Sequence, residues 1–165
     1  MTEQARLEES LAPVRHAVLV PAEPHQAFAV FTAGFGDWWP KTNTIAQAPV
    51  ERAIIEPHVG GRCYDRCVDG SECDWGRVTE WDPPRRLTLA WQVDGSWHFE
   101  ADPAHASRVT LAFVPQAGGT SVTLVHDRFE RHTDGGAALA DAVREGWGPA
   151  LDSFAAAAAT GESDR

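Results

Sequence analysis

The sequence has no long apolar run and no apolar N-terminal segment. A bilayer-spanning helix needs roughly 18 or more consecutive apolar residues, and the 165 residues contain no such run. The N-terminal stretch MTEQARLEES is polar and acidic, so it lacks the apolar core of a secretory signal. These absences predict a cytoplasmic protein without a membrane-spanning helix.

Positive charge is scarce. The formal net charge is -10, with 24 acidic residues against 14 lysines and arginines. Nucleic acids and anionic lipid surfaces are both recognised by basic patches that neutralise phosphate groups. We therefore expect neither a nucleic acid nor a membrane among the partners, and the acidity is typical of a solubilising surface.

Cysteines and recognised cofactor motifs are also scarce. Three cysteines, an odd number in a chain expected to be cytoplasmic, fit free thiols better than a disulfide framework. The sequence contains no phosphate loop, dinucleotide fingerprint, zinc-protease motif or G-x-S-x-G elbow. We therefore expect no cofactor.

Tryptophan, in contrast, is abundant. The chain has seven tryptophans but only one tyrosine and one methionine. Large rigid rings at this density line either a core or a ligand pocket. The length suits one domain, predicted over residues 13–160 between flexible ends at 1–12 and 161–165.

Apolar spacing divides the chain into a strand, two short helices, a run of strands and a long helix. Residues 14–20 favour a strand, the spacing of Phe28 and Phe31 favours a helix, and FGDWWP favours a second short helix. About six alternating segments follow. Residues 137–160 then repeat apolar side chains at helical spacing, with a restart expected at Pro149. This order predicts an α+β domain.

The hairpin at 57–76 carries all three cysteines. Because strand side chains alternate, Cys63, Asp65 and Cys67 share one face, and Cys73 follows across the turn. One hypothesis is a zinc site completed by a histidine, but C-x3-C on a strand is not a recognised zinc spacing. We therefore expect no metal.

Two further interpretations concern catalysis. Cys63 is a candidate nucleophile, with His126 as its base and Asp65 as the residue that orients the base. Buried thiols that pack as small apolar groups explain the same residues. His126 follows Val122 and Leu124 on an inward face, where it is either an acid–base group or a hydrogen-bonded core histidine.

The element order and several motifs resemble the START-like SRPBCC superfamily. Within it, the chain is similar to the homologues of the activator of heat-shock-protein-90 ATPase over residues 14–159. The motifs that carry the resemblance are the pair Trp38 and Trp39, GGRCYDRC, the frame from Trp75 to Trp91, His126 and Trp147.

The resemblance implies a helix-grip fold, with a curved antiparallel sheet of about seven strands around a long C-terminal helix. A cavity is expected between them. The superfamily includes lipid and polyketide binders, cyclases and co-chaperone domains, so the fold does not fix the activity. At Cys63 the chain departs from the large apolar residue common in relatives, which implies a locally wider cavity.

Our first hypothesis is a binding protein for a small hydrophobic or aromatic molecule, present as a monomer or homodimer. The alternatives are a cyclase or hydrolase that uses the same cavity, and a co-chaperone-like module that binds a chaperone or another protein. The expected ligand-binding residues are Trp38, Trp39, Cys63, Asp65, Cys67, Trp75, Leu89, Trp91, Leu111, Phe113, His126 and Trp147.

Overall fold

The computed structural model describes residues 2–163 and contains one seven-stranded antiparallel sheet. The strands follow the order β1-β7-β6-β5-β4-β3-β2, and the sheet curls around the last helix as a half-barrel. The elements are α1 (Glu3–Ser10), β1 (Val14–Val20), α2 (Pro24–Phe31), α3 (Phe35–Trp38), β2 (Val50–Ile55), β3 (Arg62–Cys67), β4 (Glu72–Asp82), β5 (Arg86–Trp91), β6 (Ser107–Gln116), β7 (Gly119–Asp127) and α4 (Gly136–Ser163). The α+β helix-grip fold is confirmed.

The inner face of the sheet follows the alternation of its central strands. Leu87, Leu111 and Leu124 pair across β5, β6 and β7, and each is fully buried. Phe113 and Val122 form the next pair along β6 and β7 and are equally buried. Because side chains alternate, these residues make one continuous apolar wall that faces α4.

Helix α4 packs its apolar stripe against this wall. Its buried apolar residues recur every three or four positions: Leu139, Val143, Trp147, Leu151 and Phe154. The helix runs through Pro149 without interruption, so the predicted restart does not occur. Burial on both sides of the proline outweighs the backbone hydrogen bond that it removes. No helix among residues 2–163 is long and apolar enough to cross a membrane.

The first twelve residues contain regular structure where the sequence predicted none. Helix α1 begins after Thr2, whose hydroxyl accepts a hydrogen bond from the backbone N–H of Ala5. The Arg144 guanidinium of α4 donates to the carbonyl of Ala12, which ties the following segment to the domain. At the other end, α4 extends to Ser163, and residues 164 and 165 lie outside the described part.

Helices α2 and α3 fill the space between the sheet and α4 with aromatic rings. Phe31 lies 6.0 Å from Phe113 of β6 and 5.2 Å from Phe154 of α4, measured between ring centroids. Trp38 packs on the same Phe154 and donates its indole N–H to the carbonyl of Val30. This aromatic cluster is part of the core, which leaves the other end of the concave face for a cavity.

Candidate ligand-binding cavity

A cavity of about 310 Å³ lies between the sheet, α4 and the loop 41–49. Pockets for small molecules usually enclose about 300–1,000 Å³. Five tryptophans contribute to its wall: Trp39, Trp75, Trp91, Trp97 and Trp147. The apolar remainder comes mainly from Ala142 and Val143 of α4 and from Val93, which follows β5.

Four of these rings form a rigid cage. Trp39 and Trp75 are nearly parallel, with an interplanar angle of 13° and centroids 6.3 Å apart. Trp91 and Trp147 meet almost edge to face, at 64° and 5.6 Å. Both arrangements are favourable for aromatic pairs. The cage therefore presents flat apolar surfaces in fixed orientations.

A bulge between β3 and β4 places Trp75 in the wall. Cys63 pairs with Gly76 and Tyr64 pairs with Asp74, so Trp75 is the extra residue of β4. A β-bulge redirects side chains locally and often occurs beside functional sites. Gly76 is required next to it, because a Cβ there would lie 2.6 Å from the carbonyl oxygen of Ala90.

Asp65 is a buried carboxyl group in the cavity wall. It is 2% exposed, and the Thr44 hydroxyl donates to its Oδ2 atom. Burial raises the pKa of Asp65, while the Thr44 hydroxyl and the nearby Trp75 indole N–H act in the lowering direction. The net effect is a raised pKa, so the carboxyl group of Asp65 keeps its proton to a higher pH than an exposed aspartate does.

Three polar atoms in this wall have no hydrogen-bond partner among the residues that the structure describes. They are Asp65 Oδ1, Trp75 Nε1 and Trp91 Nε1, and all three are buried. The Trp75 N–H approaches the carboxyl group closely enough to influence its pKa, but without hydrogen-bond geometry. Buried polar groups are rarely left unpaired. A ligand or water in the cavity is the natural partner for one acid and two N–H donors.

The loop 41–49 closes the wall opposite the sheet. Trp39 donates its indole N–H to the carbonyl of Asn43, and Thr44 accepts the backbone N–H of Ala46. Thr42, Asn43, Thr44 and Ile45 all line the cavity. This loop has no periodic apolar pattern, so these residues were not predicted.

A buried hydrogen-bond chain supports the tryptophans from behind. Trp147 donates to His126 Nδ1 at 3.1 Å, and His126 Nε2 lies 2.8 Å from the hydroxyl of Ser107. The Ser107 hydroxyl lies 2.7 Å from His132 Nε2, which also accepts the Ser107 backbone N–H. This pattern assigns the proton of neutral His126 to Nε2 and that of His132 to Nδ1.

His126 and His132, the two histidines of this hydrogen-bond chain, are neutral. Burial, and secondarily the neighbouring His132, lower the pKa of His126 to about 3. Burial also lowers the pKa of His132. A neutral His126 accepts from Trp147 and packs against Trp91, with ring centroids 5.4 Å apart. The network therefore fixes the orientation of two cavity tryptophans.

Comparison with protein-family models places residues 21–159 in one family, described as activator of Hsp90 ATPase homolog 1-like protein, or AHSA1. The chain belongs to the AHSA1-like family. A co-chaperone role for this member remains a prediction from that description. No protein with a curated description matches the chain.

Solved structures extend the comparison. The anthrahydroquino-gamma-pyrone synthase Txn09 is 39% identical, with 88% of this chain and 96% of that chain covered and a TM-score of 0.63. A protein from Nitrosomonas europaea is 13% identical, with 95% and 97% covered and a TM-score of 0.65. An AHSA1-like protein from Aeromonas hydrophila is 19% identical, with 88% and 91% covered and a TM-score of 0.58. The last two show the fold alone.

In this AHSA1-like chain, the predicted ligand-binding residues divide into two groups. Trp39, Asp65, Trp75, Trp91 and Trp147 lie in the cavity wall. The other predicted residues are buried in the core or behind the wall: Trp38, Cys63, Cys67, Leu89, Leu111, Phe113 and His126. An inward-facing position does not distinguish the two groups, because the aromatic cluster of α2 and α3 already covers much of the inner face.

The cysteines do not form the predicted nucleophilic site. Cys63 is fully buried, and desolvation strongly raises the pKa of its thiol, which disfavours the reactive thiolate. His126 on β7 and Asp65 on β3 are separated in the sheet by β6, β5 and β4. Cys63 lies against Gly76 of β4 and does not line the cavity, so the expected local widening is absent.

Among the described residues, one group has the proximity that a metal site requires. Ligand atoms of Asp94, His98 and Asp134 lie within 4.8 Å of one another. Asp94 already accepts two backbone N–H groups, and Asp134 accepts the hydroxyl of Ser96. These bonds account for the arrangement as a loop anchor.

Proposed function

We propose that this AHSA1-like chain is a cyclase-type protein that binds a planar, oxygenated polycyclic aromatic molecule and closes a ring on it. The observation that carries the proposal is the unpaired Oδ1 atom of Asp65 in a cavity walled by tryptophans. A buried acid of raised pKa beside an aromatic cage combines a binding surface with a proton carrier.

The cage supports a flat ligand. The parallel rings of Trp39 and Trp75 and the edge-to-face rings of Trp91 and Trp147 offer apolar faces in fixed orientations. Offset and edge-to-face contacts each add about 0.5–1.5 kcal/mol beyond area burial. A fused aromatic system uses several such contacts at once without losing conformational entropy.

Oxygen atoms on the ligand follow from the unpaired polar groups. The indole N–H groups of Trp75 and Trp91 are donors only, so they require acceptors such as carbonyl oxygens. A protonated Asp65 donates as well, and an ionised one accepts from a phenol. Phenol and quinone oxygens therefore match the wall better than a hydrocarbon would.

The identity to Txn09 supports ring closure as the reaction. A gamma-pyrone forms when a phenol oxygen attacks the distal carbonyl of a neighbouring beta-diketone and the adduct loses water. In this proposal, the protonated Asp65 donates to the attacked carbonyl oxygen, which becomes the hydroxyl group of the adduct, and its carboxylate takes the phenol proton. Asp65 then passes that proton to the hydroxyl group, which departs as water, and regains a proton from the carbon between the two carbonyls as the ring double bond forms. Trp75 and Trp91 hold the carbonyl oxygen on which negative charge develops.

The variant Asp65→Asn tests the chemistry separately from the shape of the cavity. A naphthol that carries a beta-diketone beside its hydroxyl serves as the substrate, and pyrone formation is followed by its absorbance. We expect kcat to fall at least about a hundredfold in Asp65→Asn, the usual size of an acid–base contribution. Binding of alizarin, measured by quenching of tryptophan fluorescence, should change little.

Asp69→Asn is the matched control, because Asp69 lies exposed in the turn between β3 and β4. Full turnover by Asp65→Asn would remove Asp65 from the reaction. Binding of alizarin without any pyrone formation would identify a binding protein instead of an enzyme. Absence of quenching by alizarin in the wild-type protein would contradict the ligand class itself.

A further inference from the structure

Trp97 stands apart from the other cavity tryptophans. It lines the same cavity, but 53% of its surface is exposed, while the other four are at most 9% exposed. An exposed indole at the mouth gains nothing from core packing. Single exposed apolar residues are common on proteins, so its position alone decides nothing.

The backbone of Trp97 has an unusual conformation. Its φ angle is +64°, in the left-handed region that bulky residues rarely adopt. Such conformations are unfavourable unless the surrounding structure enforces them, and they concentrate at ligand-binding and active sites. Asparagine or glycine at this position would relieve the strain, yet the chain carries the largest side chain there.

The surrounding loop enforces this conformation. Asp94 Oδ1 accepts the backbone N–H groups of Ser96 and His98, one on each side of Trp97. Ser96 also donates to Asp134, and Gly95 lies so close to Gly135 that a Cβ atom would overlap its carbonyl. The loop is therefore held on the segment before α4, and it aims the indole at the cavity mouth.

We propose that Trp97 forms an outer stacking site for the part of the ligand that extends beyond the enclosed cage. The inference rests on the proposed aromatic ligand and extends it, because it assigns a length. In this proposal, the cage formed by Trp39, Trp75, Trp91 and Trp147 takes the first two fused rings of the ligand. A third ring reaches the mouth and stacks on Trp97, so the site selects elongated fused systems over short ones.

Two probes and two variants test the assignment. Fluorescence titration with alizarin, which has three rings, is compared with α-naphthol, which has two. In Trp97→Asn, which suits a left-handed backbone, we expect alizarin to bind roughly tenfold more weakly, a typical loss for one stacking contact. Binding of α-naphthol should not change, and the melting temperature should stay equal or rise. Trp97→Phe keeps a ring and should retain most of the affinity for alizarin.

Phe99→Asn is the matched control, since Phe99 is a 39% exposed aromatic residue of the same loop that does not line the cavity. Unchanged alizarin binding in Trp97→Asn would overturn the stacking site while leaving the proposed function intact. An equal loss for both probes would also overturn it, because Trp97 would then act on the whole cavity. If neither probe binds the wild-type protein, both proposals fail.

Discussion

The three cysteines lie in adjacent strands but differ in their burial. Cys63 is fully buried, and Cys67 is 2% exposed and donates its thiol to the carbonyl of Ala48. Cys73 is partly exposed. Burial raises the pKa of Cys73. All three are free thiols, and the pattern is that of packing groups with one accessible member.

Alkylation with iodoacetamide at about pH 8 should distinguish them. We expect Cys73 to react more slowly than free cysteine because its pKa is raised. Cys63 and Cys67 should react only after unfolding in urea, because neither is accessible in the fold. Peptide mass spectrometry gives the order. Rapid labelling of Cys63 in the folded protein would contradict its burial.

At the scale of an element, α4 contributes both core and cavity wall. Its buried stripe faces the sheet, while Gly146 lines the cavity on the neighbouring face. A Cβ atom at Gly146 would meet nothing within 4 Å. Glycine inside a helix costs about 1 kcal/mol relative to alanine. Packing does not require this glycine. We infer that the lack of a side chain here keeps this part of the cavity open.

The substitution Gly146→Leu should therefore separate stability from binding. We expect the free energy of unfolding to rise by about 0.5–1 kcal/mol, because leucine is a better helix former. Alizarin affinity should fall at least about tenfold, because the side chain occupies the mouth. Urea unfolding and fluorescence titration measure the two effects.

Glu145→Leu is the control for this experiment. It adds the same side chain to an exposed position of α4 that does not line the cavity. Its binding of alizarin should match that of the wild-type protein. Unchanged binding in Gly146→Leu would show that the ligand does not pass or occupy this part of the wall.

At the scale of the whole molecule, the buried histidines make stability depend on pH. The folded pKa of His126 is about 3, below its ordinary value of 6.5, and the pKa of His132 is lowered in the same direction. Below about pH 6.5, the unfolded chain binds protons that the folded histidines do not. The stabilisation is therefore complete above this pH and is lost as the pH falls.

The raised pKa of Asp65 acts with the opposite sign. Its folded carboxyl group keeps a proton that the unfolded one releases above about pH 3.8, so its contribution declines as the pH rises. Below about pH 6.5, His126 and His132 both act in the first direction, and Asp65 acts in the second. The charges that face His132 belong to Asp94 and Glu100, and both act to raise its pKa.

We expect the free energy of unfolding to decrease between about pH 6.5 and pH 4.5, by at most about 1.4 kcal/mol per pH unit for each histidine. His126→Gln keeps a hydrogen-bonding side chain without the titrating group, so its pH dependence should be shallower. Urea denaturation at several pH values provides the measurement. An identical slope for the two proteins would exclude His126 as a source.

Most of the secondary structure could be predicted because most elements have a clear apolar period. Alternation identified the buried faces of β5, β6 and β7, and the spacing of Leu139, Val143 and Trp147 identified α4. Two features were not predicted from the sequence. Packing carries α4 through Pro149, and the Thr2 hydroxyl caps α1, where the sequence shows no apolar face. Both depend on contacts that periodicity does not report: packing against the sheet for α4, and a capping hydrogen bond for α1.

The sequence by itself determined the helix-grip fold, the family, the inward strand faces and a surplus of tryptophan. Only the tertiary structure decided which inward residues line the cavity. Periodicity reports the face of a strand, but the space above that face depends on what else fills it. Two rings of α2, Phe28 and Phe31, pack on Phe113, while the bulge at Trp75 and the loop 41–49 lie beside Asp65. Contacts between residues distant in sequence thus separate core from site.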